Sequence, residues 1–149
     1  MKIVIISDTH GDRERMERVL RIHPDADVYL HAGDSELASD VLFPFIGVRG
    51  NCDWGSDLPE EITLPTPYGN LYMTHGHRGV LRTREELRRL NARIMVSGHT
   101  HVHGAILRED GFFFNPGSLA KPRDGENGTY LVLNVTEKTV TYRFYEMAF

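Results

Sequence analysis

Short apolar runs alternate with polar clusters along the first two thirds of the chain, and most of these runs stop at an Asp, Asn or His beside a glycine. Ile3, Val4, Ile5 and Ile6 form an unbroken apolar run that reads as a buried strand over residues 2–6. Asp12 to His23 then places Met16, Val19, Leu20 and His23 on one helical face, stopped by Pro24. The unit repeats. Val28–His31 predicts a short strand ending at Gly33-Asp34, Ser35–Leu42 a short helix before Pro44, and Phe45–Val48 a third strand ending at Gly50-Asn51-Cys52-Asp53. From Ile62 the signals become those of hairpins, with Ile62–Pro67 and Leu71–Thr74 flanking Tyr68-Gly69-Asn70. Thr83, with Glu86 three residues on, predicts a capping box ahead of Leu87 and Leu90. Ile94–Ser97 reads as another buried strand, and the chain after His101 as antiparallel strands over 104–108, 112–115, 129–135 and 139–147. The pattern predicts an α/β class, with parallel strands joined to an antiparallel second sheet and covered by helices.

Composition narrows this to one domain over residues 1–149, since 40% hydrophobic content in 149 residues supports one core and not two. No apolar stretch approaches the roughly 20 residues of a membrane span, and the Met1–Ile6 run is shorter than the roughly 7 to 15 apolar residues of an export signal. A cytoplasmic protein with no membrane partner is expected. The single cysteine, Cys52, excludes an internal disulfide and a thiolate zinc cluster. A formal charge of -4 argues against nucleic acid as a stable partner. A homodimer is the commonest assembly for such a chain.

The eight histidines change the picture most, because most stand next to Asp, Gly or another His. Five clusters occur where strand-like runs end: Asp8-Thr9-His10, Gly33-Asp34, Gly50-Asn51, His75-Gly76-His77 and Gly98-His99-Thr100-His101. Ligands of open α/β sheets bind beyond the carboxyl ends of the strands, so these clusters are expected to meet in one crevice. In an extended segment, Asp8 with His10 and His99 with His101 would face the same side. Carboxylate, imidazole and amide donors suit Zn, Mn, Fe, Ni or Co without any thiolate. Asp8, His10, Asp34, Asn51, His75, His99 and His101 are too many for one catalytic metal and about right for two divalent ions bridged by a carboxylate, an arrangement suited to phosphoryl chemistry. His23 and His31 read as a helix-end and a strand residue. Asn115–Ser118 reads as a turn beneath the site, and Arg123 equally as a phosphate donor or an ordinary surface arginine.

D8-x-H10, G33-D34, G50-N51-x-D53, H75-G76 and G98-H99-x-H101 resemble, in order, the motifs of the calcineurin-like metallophosphoesterases. Asn115-Pro116-Gly117-Ser118 with Pro122-Arg123 extends the resemblance to the small YfcE-like phosphodiesterase branch. The resemblance implies a four-layer α-β-β-α sandwich of two mixed sheets. It implies that Asp8, His10, Asp34 and His101 hold one metal and Asp34, Asn51, His75 and His99 the other, manganese foremost, with Asp34 bridging. A metal-bridging hydroxide would be the nucleophile on a phosphate-ester small molecule, most expectedly a phosphodiester. Many members carry a histidine after the Asn of the third motif, where this chain has Cys52. A neutral thiol donates weakly, so weak monoesterase activity and a preference for diesters with good leaving groups are expected, with His77 the next candidate acid. Two other readings share the fold: a hydrolase of nucleotide or pyrophosphate anhydrides, and a protein-binding scaffold like the retromer subunit, whose metal constellation is incomplete.

Overall fold

Lys2–Ile6 (β1) forms a strand buried on both faces, with Ile3 and Ile5 to one side and Val4 and Ile6 to the other. In the computed structural model, which describes residues 1–108 and 111–149, that alternation divides the molecule into layers. Val28–His31 (β2) and Phe45–Gly47 (β3) continue from β1 as parallel neighbours, while Gly128–Val135 (β9) pairs antiparallel with β1 and Val140–Met147 (β10) with β9. The first sheet therefore runs β10-β9-β1-β2-β3. The second sheet is built from Glu61–Thr66 (β4), Gly69–Thr74 (β5), Ile94–Val96 (β6), Gly104–Arg108 (β7) and Gly111–Asn115 (β8), in the order β4-β5-β6-β8-β7.

Ile3, Ile5 and Leu30 from the first sheet meet Leu71, Met73, Ile94, Val96 and Phe114 from the second in one core between the sheets. On the opposite face of the first sheet, Val4 and Ile6 pack against Met16 and Val19 of Arg13–Ile22 (α1) and against Leu42 of Ser39–Leu42 (α2). Met95 and Phe113 carry the outer face of the second sheet against Leu87 of Arg84–Arg89 (α3). The result is the expected four-layer α-β-β-α sandwich. Burying a side chain such as Ile5 contributes about 1.5–3 kcal/mol, so the sheet-to-sheet core dominates stability. No helix among the described residues is long and apolar enough to cross a membrane.

Three expectations are corrected. The helix foreseen over Ser35–Leu42 is confined to Ser39–Leu42, because the preceding backbone bonds elsewhere. Asp34 O accepts from His10 N, Ser35 O from Gly11 N, and Glu36 N donates to Asp53 Oδ1 with Glu36 at φ 55°. The second sheet is mixed, not antiparallel: β5, β6 and β8 are mutually parallel, because β7 takes the edge and β8 returns antiparallel to it to lie between β7 and β6. The strands after His101 also divide between the sheets, β7 and β8 to the second and β9 and β10 to the first. Elsewhere the N-cap signals hold, though of the expected Thr83–Glu86 capping box only the Thr83 half forms. Asp12 caps α1 by accepting from Arg15 N, and Thr83 caps α3 by accepting from Glu86 N, while the Glu86 carboxylate is taken by Arg89.

Candidate metal centre

Three parallel strands of each sheet, β1, β2 and β3 in one and β5, β6 and β8 in the other, end at the same edge of the sandwich. Asp8 and His10 follow β1, Asp34 follows β2, Asn51 follows β3, His75 follows β5, and His99 and His101 follow β6. The two sheets thus bring together all seven residues singled out as candidate ligands. Asp8, His10 and His101 offer ligand atoms within 4.8 Å of one another; so do Asp34, His75 and His99, and so do His10, Asp34 and Cys52, a set that spans the two. His101 Nε2 lies 3.2 Å from Asp8 Oδ1 and 3.4 Å from His10 Nε2. His75 Nε2 lies 3.2 Å from Asp34 Oδ2 and 3.0 Å from Asn51 Oδ1, which is also 3.1 Å from His99 Nδ1. Asp8, Asp34, His75 and His101 are buried, His10 and His99 half-buried, and Asn51 sits at the exposed mouth.

The reason the pairs converge differs from the expected one. Asp8, His10, Asp34, His99 and His101 all adopt left-handed backbone, with φ between 46° and 72°, so extended alternation does not aim them. Non-glycine residues in that region are held there by their surroundings, and such strain concentrates at functional sites. Here the restraint is a ladder between loops: Asp8 N donates to Gly33 O, His10 N to Asp34 O, and Gly98 N to His75 O. Close approach also dictates glycine. A Cβ at Gly50 would lie 2.1 Å from Asp34 Oδ1, and one at Gly98 2.1 Å from Ser7 Oγ.

Outer contacts fix which nitrogen faces inward. His75 Nδ1 is bonded to Ala32 O at 2.8 Å and His101 Nδ1 to Lys121 O at 2.6 Å, so each Nδ1 carries the hydrogen and each Nε2 turns to the centre. His10 Nδ1 contacts Glu36 Oε2 at 3.1 Å. Asp8 Oδ2 accepts from Ser7 Oγ and from His99 N, while Asp8 Oδ1, fully buried, makes no hydrogen bond and faces Nε2 of His101 and His75. A buried acceptor opposed by lone pairs is costly unless a proton or cation lies between them. The donor set and this orphaned oxygen fit divalent ions.

The charge balance is consistent with that reading. Burial opposes ionisation of Asp8, but the contact with His101, the charge of His75 and the Ser7 hydroxyl outweigh it and hold the carboxyl below its usual value. Burial likewise opposes ionisation of Asp34 and is outweighed by His75 and by the Cys52 N–H, bringing Asp34 to about 2. His101 is raised by Asp8. His75, though burial works against its charge, is raised by Asp34 and Asp8. Cations that displace these protons would take over their role.

Several functional contacts lay outside the sequence reading. Asp53 accepts from Asp34 N at 2.9 Å, Gly50 N at 2.7 Å and Glu36 N at 2.8 Å, so one carboxylate sets the loop that presents Asp34. Its spacing of three from Gly50 was the available signal. Asn115 donates to Gly98 O and Thr100 Oγ1, and Ser118 donates to Asp8 O, so the Asn115–Ser118 turn supports the site as expected. His103 is bonded to Asp124 and packs at a tilt against the Phe144 ring, apart from the cluster, and Arg123 is exposed with its backbone N–H on His101 O. His77 stands at the rim with its ring 5.5 Å from that of His75; its Nδ1 is buried without a partner, and burial, then His75 and Arg78, lower its pKa.

His31 is fully buried beneath the loops: its Nε2 bonds Thr9 Oγ1 at 2.8 Å and its Nδ1 accepts from Gly33 N at 3.1 Å. Burial pushes this ring down to about 4. The unfolded chain, with a histidine near 6.5, therefore takes up a proton that the folded protein refuses. The penalty is absent above about pH 6.5, grows as pH falls and is complete near pH 4. Between pH 7.5 and pH 5 the wild type should lose about 2 kcal/mol more unfolding free energy than His31→Gln. Denaturant titrations of both at the two pH values measure this, and equal losses would refute it.

Residues 1–138 match the family described as the calcineurin-like phosphoesterase superfamily domain. The chain is 32% identical over 156 residues to the probable metallophosphoesterase YsnB of Bacillus subtilis, covering 99% of this chain and 92% of that one. It is 34% identical over 164 residues to the phosphodiesterase YfcE of Escherichia coli, with 90% and 88% covered. A predicted phosphoesterase of Streptococcus pneumoniae superposes with a TM-score of 0.86 at 28% identity over 99% of this chain and 92% of that one. Vps29 of Chaetomium thermophilum shares the fold at a TM-score of 0.79, with 98% and 87% covered, but at 19% identity that likeness carries no function. With this match over most of its length, and with the family's motifs gathered at one edge of the sandwich, the chain belongs to the calcineurin-like phosphoesterase superfamily.

Proposed function

We propose that the protein is a metal-dependent phosphodiesterase of small molecules, with Asp8, His10, Asp34 and His101 holding one divalent ion and Asp34, Asn51, His75 and His99 the other. The observation that carries this is the buried, unbonded Asp8 Oδ1 facing the inward nitrogens of His75 and His101, beside a second cluster joined to the first through Asp34. Bound divalent ions supply Lewis acidity toward phosphoryl oxygens and lower the pKa of water. Manganese is the first candidate to restore, since Asp8, Asp34 and the Asn51 amide supply oxygen donors, while the four imidazoles equally suit Zn, Fe, Ni or Co.

The remaining chemistry belongs to the chain. The carbonyl contacts of His75 and His101 keep their lone pairs inward, and Asp53 holds the Asp34 loop so that both carboxylate oxygens are committed before substrate arrives. Asn51 and His99 face the open side, where a phosphate enters. His77, whose pKa burial lowers, holds a proton less readily than an ordinary imidazole and so is a weakened source of one for a departing alkoxide. Cys52, whose thiol is raised by burial and by Asp34, supplies only a weak donor. Leaving groups that depart without a proton are therefore favoured.

Metal-stripped protein assayed with bis-p-nitrophenyl phosphate and p-nitrophenyl phosphate, with Mn, Ni, Co, Zn or Mg restored, tests the reading. Diester turnover should exceed monoester turnover by about tenfold or more, and Cys52→His should narrow the penalty for poor leaving groups by about 10²-fold, the range of general acid catalysis. Faster monoester hydrolysis would refute the diesterase assignment, and silence with every metal would favour a binding scaffold.

A further inference from the structure

Beside the candidate metal centre lies a cleft of about 370 Å³, walled by residues 36–38 and 52–57. Two of its walls also border the centre. Glu36 Oε2 contacts His10 Nδ1 at 3.1 Å, and Cys52 Sγ lies within 4.8 Å of the ligand atoms of His10 and Asp34. A phosphodiester with its phosphate at the centre has this cleft available for one of its two ester substituents.

The cleft's chemistry is distinctive. Trp54 lines it with 90% of its surface exposed, an aromatic face left in water at the mouth of a polar site. Indole carries more apolar area than any other side chain, and leaving it exposed forgoes burial that a ligand would restore. Glu36, Asp53 and Asp57 bring three carboxylates to the same walls, and none of the described lining residues is basic. Asp53 is buried and committed to three backbone N–H groups, whereas Glu36 and Asp57 are exposed. Opposite potentials thus adjoin: a centre that is cationic once ions are bound, and an anionic cleft with an aromatic wall.

A substrate carrying a second phosphate or carboxylate would meet repulsion in that cleft, which disfavours anhydrides and polyanions. A zwitterionic ester, with a phosphate joined to an ammonium by a short spacer, matches both halves. An aromatic face flanked by carboxylates attracts alkylammonium groups through the ring quadrupole and Coulomb forces together. We infer that the cleft is a subsite for an alkylammonium substituent, of choline or ethanolamine type, on the phosphodiester. This rests on the phosphodiesterase reading and names its substrate class.

Trp54 is the only tryptophan of the chain, so its emission reports on this cleft alone. Phosphocholine and 3,3-dimethylbutyl phosphate, which share shape and phosphate and differ by one charge, are titrated into the zinc-loaded protein, with adenosine 5′-monophosphate as a third probe. Phosphocholine should give a saturable change with an affinity about tenfold or more above its isostere with the uncharged alkyl group, the scale of a partly desolvated cation–π contact with added carboxylates. Calorimetry should show that preference shrinking in Trp54→Ala and in Asp57→Asn. Equal affinity for the two isosteres, or no saturable response to phosphocholine, would overturn the inference, and tightest binding of the adenosine phosphate would replace it with nucleobase stacking. Hydrolysis of methyl p-nitrophenyl phosphate in the same sample separates the two claims. Turnover without charge preference removes the subsite and leaves the reaction, whereas charge-selective binding with no turnover under zinc or under Mn, Ni, Co or Mg in its place removes the reaction and leaves the subsite.

Discussion

Asp34→Asn should abolish metal-dependent diester hydrolysis, with kcat/KM falling about a thousandfold or more while the protein stays folded. Asp34 Oδ2 faces His75 at 3.2 Å, Asp34 Oδ1 accepts from Cys52 N at 2.8 Å, and the carboxylate belongs to both candidate ligand sets that border it. Neutralising it removes the shared anion from a centre where charge stabilisation is worth several kcal/mol, at a factor of ten for each ~1.4 kcal/mol. The fold should tolerate the change because asparagine keeps the shape and an oxygen for the Cys52 N–H, and its amide can donate to the inward lone pair of His75. Melting within a few degrees of wild type, together with lost turnover, is the expected result. Wild-type turnover in a folded Asp34→Asn protein would remove Asp34 from the centre.

The second large effect is expected at a residue outside the candidate ligand set. Asp53→Ala deletes the one carboxylate that receives Asp34 N, Glu36 N and Gly50 N. Removing one acceptor costs about 1–3 kcal/mol for each buried donor left without a partner. With water replacing part of the loss, about 3 kcal/mol of destabilisation is expected. Because the freed loop is the one that aims Asp34, metal affinity should also drop by about 10- to 100-fold, the range seen when groups supporting metal ligands are removed. Asp53→Asn should recover part of both losses, since its carbonyl oxygen still accepts. Loss of stability with unchanged metal affinity would confine Asp53 to holding the fold.

The candidate ligands were legible because the strands that carry them end in short motifs whose donors lie close in sequence, as in Asp8-Thr9-His10 and His99-Thr100-His101. Strand positions followed for the same reason: Val28–His31 coincides with β2, and the alternation of Ile3 and Ile5 with Val4 and Ile6 assigns both faces of β1. What escaped depends on contacts between distant segments. Arg15, on α1, donates to Leu119 O, Met147 O and Ala148 O and pins the C-terminal strand, 104 to 133 residues away. His31 joins the Thr9 and Gly33 loops, yet in sequence it is only the last residue of a strand. The shortened α2 and the β6–β8 pairing escaped for the same reason, since both are decided by loops and crossovers from elsewhere in the chain. The left-handed backbone of five candidate ligands was only faintly marked: Asp and His enter that region more readily than most non-glycine residues, but tertiary hydrogen bonds decide which of them do.

The most direct test of the two-metal centre is to titrate manganese into metal-free protein in weakly buffered solution, following bound metal, released protons and diester turnover together. Asp8 raises the proton affinity of His101, and Asp34 and Asp8 that of His75, so protons compete with cations for these nitrogens; proton release should accompany binding and apparent affinity should weaken as pH falls. Two bound equivalents per chain, with protons released and turnover rising as the second fills, is the predicted result. Saturation at one equivalent, or turnover that ignores added metal, would contradict it.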